Sequence, residues 1–315
     1  GSSRTEKPFL APFDVPSQAK AKFTTVIEKC SKLLQYHPDS KLVDDALLMI
    51  GKSYYYQNEH QSAERKFNEL LSTHPESDVR FETKLLLANT HYRKGDKEAA
   101  ARSALELIEE ARKEDEDEIV SRAANLVAQI ETEARNFKEA LQYYQIAADL
   151  GATAADRSSA YRAVASMYIQ QGEYAKAKEA YTRAEDVSND YLSAFRAQMG
   201  QARMFSMLGR HEESLALLET LISNKNYREF FGEIDLEIAH VYREEEDYPS
   251  AEAQYRYVDT AYARTEVAAN SYFHLGQLYE KNLMNYDSAR VAYESGKGEF
   301  PQAEITPATV KRSEF

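Results

Sequence analysis

In the stretch GKSYYYQNEHQSAERKFNELLSTHPES, Gly51 to Ser77, apolar and aromatic residues recur every three or four positions, break at a polar turn, recur again and stop at Pro75. That spacing puts the apolar side chains on one face of a helix, so the stretch predicts two amphipathic helices joined by a short turn. The pattern then returns along nearly the whole chain. A small residue opens each second helix, at Ala63, Ala100, Ala140, Ala177, Ser214, Ala251 and Ala289, in steps of 37, 40, 37, 37, 37 and 38 residues. Four positions later stand Phe67, Ala104, Tyr144, Tyr181, Leu218, Tyr255 and Tyr293. Twelve positions earlier come Gly51, Ala88, Ala128, Ala165, Ala202 and Ala239, and Gly276 stands thirteen before because one residue is inserted. A fixed period of this length marks a stacked repeat, in which each unit buries its apolar face only against its neighbours.

The small residues fall where two helices of a hairpin cross, since Gly, Ala or Ser lets backbones approach closely. The aromatics fill the space between hairpins. Turns such as RKGDK, QQGEY and MLGRH place Gly95, Gly172 and Gly209 where a left-handed residue ends a helix. Pro38, Pro75 and Pro301 close second helices.

The recurring unit resembles the tetratricopeptide repeat (TPR), two antiparallel helices per unit. The resemblance covers residues 16–302 and implies an all-α, right-handed superhelical solenoid of seven helix pairs plus one N-terminal helix. It departs from the family pattern in its longer period and in lacking tryptophan altogether, and Glu131 stands where other units place an aromatic. The stretch HPDSKLVDDALLMIGKSYYYQNEHQSAERKFNELLSTHPES is similar to bacterial envelope TPR proteins. Among these are the lipoprotein subunit of the outer-membrane barrel-assembly machine and periplasmic cell-division coordinators. The last unit, YFHLGQLYEKNLMNYDSARVAYESGKGEFP, is similar to TPR lipoproteins of gliding motility and type IX secretion. These resemblances imply a periplasmic, outer-membrane-associated scaffold, with an export signal and lipid anchor outside the 315 residues. The alternative is a cytoplasmic TPR adaptor or regulator that binds a signalling partner.

Residues 1–15 carry Pro8 and Pro12, begin with the expression remnant Gly-Ser-Ser, and are expected to be extended. Gln18 to Tyr36 is expected to be one helix, with Val26, Cys30 and Leu33 in the register of Ala63, Phe67 and Leu70, that is, a second helix without its first. The charge run Arg112 to Glu118 is expected to be an elongated solvated link. Residues 303–315 are a tail, with no polar capping helix expected, or the start of a further repeat.

The chain is 43% hydrophobic with a formal net charge of -13, and no basic face is available to neutralise nucleic-acid phosphates or anionic lipid. No run of about 18 apolar residues spans a membrane. Glycine-rich phosphate loops, nucleophile elbows and zinc spacings are missing, so neither a catalytic site nor a cofactor or metal is expected. The paired His37 and His74 belong to the repeat, and Cys30 reads as a small core hydrophobe.

What remains is partner binding on the concave face of the first helices. Counting from the small-residue ladder places Leu48, Lys52, Tyr55 and Tyr56 there, followed by Leu85, Asn89, Tyr92 and Arg93. Asn125, Gln129, Arg162 and Ser166 come next, then Met199, Arg203 and Met207, and last Leu236, His240, Arg243, Phe273 and Gln277. Tyr54 is expected to pack inside while Tyr55 and Tyr56 face the groove. With Tyr92 and Arg93 they should make a continuous aromatic and basic patch, supported by Lys52 and Asn89, for a peptide or partner protein. The clamp that grips acidic chaperone tails needs a lysine one turn before the groove asparagine, and Leu48 and Leu85 stand there instead.

Overall fold

Ala, Leu, Glu, Lys, Gln and Arg dominate the chain and favour helix. A computed structural model describes residues 16–303 and 305–313, and these contain helices and turns but no strand. Helix α1 (Ser17–Tyr36) comes first. Seven pairs follow: α2 (Val43–Tyr56) and α3 (His60–Thr73), α4 (Arg80–Arg93) and α5 (Lys97–Arg112), α6 (Asp117–Glu133) and α7 (Phe137–Leu150), α8 (Ala154–Gln170) and α9 (Tyr174–Asp186), α10 (Tyr191–Met207) and α11 (His211–Ser223), α12 (Phe231–Glu244) and α13 (Tyr248–Ala261), α14 (Glu266–Gln277) and α15 (Tyr286–Glu299). Helix α16 (Thr306–Ser313) comes last. The chain divides after Met167 into an N-terminal and a C-terminal body. Phe67, Leu70, Leu107 and Leu126 centre the core of the first, and Phe195, Leu218, Tyr255 and Tyr293 that of the second.

The ladder of small residues lies at the helix crossings. Ala63, Ala88, Ala100, Ala177, Ala239 and Ala251 are fully buried, and Ser214 adds a hydrogen bond, its Oγ donating to the carbonyl of Ala202 at 2.7 Å. Where the facing ring comes closest the position is glycine. A Cβ at Gly51 would lie 2.4 Å from the Phe67 ring, and one at Gly276 2.4 Å from the ring of Tyr293.

Five residues before each ladder position the backbone turns left-handed in every pair. Gly95, Gly172 and Gly209 have φ of 86°, 74° and 73°, while Asn58, Arg135, Glu246 and Met284 hold the same conformation without being glycine. A Cβ at Gly172 would touch nothing, so the cost there is purely conformational. Gly172→Ala is therefore expected to destabilise by about 1 kcal/mol and Arg135→Gly to stabilise by a similar amount, from the intrinsic penalty for a side chain in this region. Urea midpoints of the two variants check both signs.

Irregularities in the period have local explanations. The residue inserted in the last pair is absorbed by a π turn at Leu278–Asn282, in which the Leu283 amide donates to the Leu278 carbonyl at 3.0 Å, one residue further back than in an α-helix. The charge run in the 40-residue step is solvated, Arg112 to Glu118 all being exposed, but the link is not elongated. Helix α5 runs to Arg112 and α6 starts at Asp117, so only residues 113–116 of the charge run connect them. Ile108, Ala111, Ile119 and Val120 are buried, and their packing extends both helices into the run.

Residues 1–15 lie outside the described residues. Cys30 is half-buried rather than a core residue, because α2 is the helix that packs on α1. The tail folds into α16 against α15, fixed by buried Thr309 and by the Arg312 guanidinium 2.5 Å from Glu280.

Candidate functional site

In the N-terminal body, α4 touches both α2 and α6, so these three first helices form one face. Their side chains are joined across the helices. Lys52 on α2 lies 2.6 Å from the Glu82 carboxylate on α4. Arg93 on α4 reaches back over the Tyr55 ring, 4.8 Å from its centroid. Tyr56 meets Tyr55 edge-on at 5.4 Å and stacks on Phe23 of α1 at 6.0 Å. Tyr92 turns the other way, donating its hydroxyl proton to Glu133 of α6 and accepting from Gln129 Nε2 at 3.0 Å. Burial and the Glu133 carboxylate both push the Tyr92 phenol well above its ordinary pKa, so it stays a donor.

Several sequence expectations change here. Tyr55 is 4% exposed, whereas Tyr54 and Tyr56 are half-buried, so Tyr55 is a support beneath Arg93 and not a surface contact. The pair of aromatics at 54 and 55 exchanges roles because α4 closes over the face that helical periodicity alone leaves open. Asn89 is buried too, its Nδ2 donating to the Leu85 carbonyl of its own helix at 2.9 Å. Leu48 and Leu85 are core residues. The positive charge of Lys52 is met by Glu82, which weakens the expected basic character of the patch. The acidic partners Glu82 and Glu133 escape sequence reasoning because pairing across helices depends on the registry of neighbouring repeats. Tyr56, Tyr92 and Arg93 are half-buried and remain as the accessible part, Tyr56 and Arg93 joined through the Tyr55 ring and Tyr92 directed to α6. Arg162 on α8 is also half-buried.

In the C-terminal body the predicted cations are likewise engaged. Arg203 of α10 is exposed, yet its Nε lies 2.8 Å from the Glu237 carboxylate of α12, which is only 5% exposed. Burial raises the Glu237 pKa, but the Arg203 charge and the hydrogen bond with His240 outweigh it and hold the carboxyl at about 2. Arg243 Nη2 lies 3.0 Å from Glu244. Phe273 and Met199 are buried, not surface contacts. His240 and His274 meet edge-on at 4.5 Å beside the fully buried Tyr255. Burial comes first in lowering His274, helped by the charges around it, to about 3, so this ring is neutral at physiological pH. Among the described residues no three His, Cys, Asp or Glu side chains are grouped to hold a metal, and no helix is long and apolar enough to cross a membrane.

Helical hairpins with small residues at each crossing, laid side by side in series, define a helical-repeat scaffold of the kind that binds other proteins. The chain belongs to the tetratricopeptide repeat family. Sequence profiles of that repeat match residues 45–77, 85–155 and 165–229. No curated protein sequence matches. Among solved structures, a tetratricopeptide repeat protein from Parabacteroides merdae is similar at 17% identity, over 86% of this chain and 99% of its own, with a TM-score of 0.59. The apo quorum sensor NprR from B. thuringiensis gives 15% identity, 88% and 82% coverage, and a TM-score of 0.58. The C-terminal part of a TPR protein from Cytophaga hutchinsonii gives 14%, 76% and 90%, and 0.57. At these identities the likeness is one of fold.

Proposed function

We propose that the protein is a non-catalytic scaffold that holds a peptide or partner protein on the first-helix face of α2, α4 and α6, within a bacterial envelope complex. Tyr56 and Arg93 joined over a buried Tyr55, with Tyr92 next to Arg93 on α4 and directed to α6, carry the binding site. Tyrosine and arginine supply most interface hot spots, and here their rotamers are already fixed by Phe23, Glu133 and the Tyr55 ring, so little side-chain entropy is left to lose on binding. The likeness of the first and last repeats to envelope TPR lipoproteins supports the location. Neither a nucleic acid nor a cofactor has a role in this reading.

Affinity capture with the wild-type protein and with Tyr56→Ala plus Tyr92→Ala tests the site. Both side chains also pack on the core, so the comparison is made well below the melting temperature of the variant, where both proteins are folded, and recovery of the partner is expected to fall about tenfold or more. Undiminished recovery of every partner removes this face as the site. Fractionation of cells making the full-length protein tests the location. It is expected with the outer membrane, and recovery in the cytosol favours the adaptor alternative.

A further inference from the structure

Helix α1 holds the place of a second helix, and its outer flank is open. Val26, Cys30 and Leu33 share the register of Ala63, Phe67 and Leu70 on α3, which are fully buried where α2 crosses them. On α1 the same three positions are only half-buried, because Phe23, Leu33 and Leu34 hold it on α2 from one side only. Lys22, Val26, Lys29 and Tyr36 follow one another at helical spacing along the open flank, with both lysines exposed and Tyr36 66% exposed. In a chain of net charge -13, α1 carries Lys20, Lys22, Lys29 and Lys32 against the single acid Glu28. None of these lysines pairs with an acid among the described residues.

We propose that this flank docks an acidic amphipathic helix of a partner protein, seated where every other second helix receives its first. Continuity with the repeat sets the shape of the occupant. The equivalent face of α3 is covered by α2, a helix of 14 residues, so a helix of similar length completes the hairpin. The lysine row sets its charge, since carboxylates along its edge would meet Lys22 and Lys29. This surface is separate from the α2–α4–α6 face, so either can fail without the other.

The probe is a synthetic peptide with the sequence of α6, DEIVSRAANLVAQIETE, a first helix rich in carboxylates with a single guanidinium. Cys30 is the one cysteine of the chain and is half-buried one turn from Val26 at the edge of that flank, so its alkylation rate reports coverage. With the full 315-residue protein, saturable binding is expected, slowing Cys30 alkylation about tenfold when the peptide stands at ten times its dissociation constant. Lys22→Glu with Lys29→Glu is expected to weaken binding about tenfold at unchanged melting temperature. The proposal is overturned if the peptide neither saturates nor protects Cys30, or if a control with every carboxylate amidated does as well. Protection that grows with protein concentration alone would overturn it in favour of a second copy on the flank. Protection by phosphatidylglycerol vesicles instead of the peptide would overturn it in favour of a membrane.

Discussion

Phe67→Ala is expected to lower the stability of the N-terminal body by about 3–5 kcal/mol, the range for deleting a wholly enclosed ring. Phe67 is 0% exposed and lies across Gly51, where α2 and α3 cross. Without the ring the crossing keeps a cavity that two backbones already in contact cannot close. A filling residue from the other side offers a direct check. Gly51→Leu in the Phe67→Ala background should recover part of the loss, whereas Gly51→Ala alone should destabilise, because its Cβ would stand 2.4 Å from the ring. The two sites are then coupled, and urea midpoints at constant slope read the coupling as a double-mutant cycle. A loss below about 1 kcal/mol for Phe67→Ala would mean that the crossing does not hold the hairpin together.

Arg203→Met is expected to cost the C-terminal body about 2–3 kcal/mol. Removing one member of a wholly buried ion pair costs more, and here the open side of Arg203 moderates the effect. The arginine could be mistaken for a free groove contact, but its loss strands the buried Glu237 carboxylate. The pH dependence identifies the cause. In the wild type Glu237 titrates at about 2, below its ordinary 4.5, so its contribution is complete above pH 4.5 and is lost as pH falls toward 2. In the variant burial dominates and the carboxyl moves above its ordinary value, so acidification neutralises a charge that the fold disfavours. The stability gap between wild type and variant should therefore be widest at neutral pH and close on acidification. Thermal melts from about pH 7 to about pH 3 measure it. A gap that stays constant would place the role of Arg203 outside the ion pair.

Repetition alone makes the fold legible in the order of residues. The ladder from Ala63 to Ala289, the three turn glycines and the prolines after second helices are local constraints imposed by close backbone approach and by φ. Each recurs where the structure has a crossing, a left-handed turn or a helix end. Arg135 and Glu246 take the same left-handed turn without a glycine to announce it, because the hairpin geometry imposes the conformation on whatever residue stands there. The candidate site is legible only as a set of positions. Periodicity assigns Tyr55, Asn89 and Arg203 to a helix face, but it does not tell how far the next helix leans over that face or which acid it brings. Tertiary packing buries Tyr55 and Asn89, pairs Lys52 with Glu82 and Arg203 with Glu237, and, among the described residues, leaves α1 uncovered on one side. The order of residues determines what each helix offers to its neighbours. Exposure and charge pairing depend on the distance and registry between helices, and those exist only once the neighbours are in place.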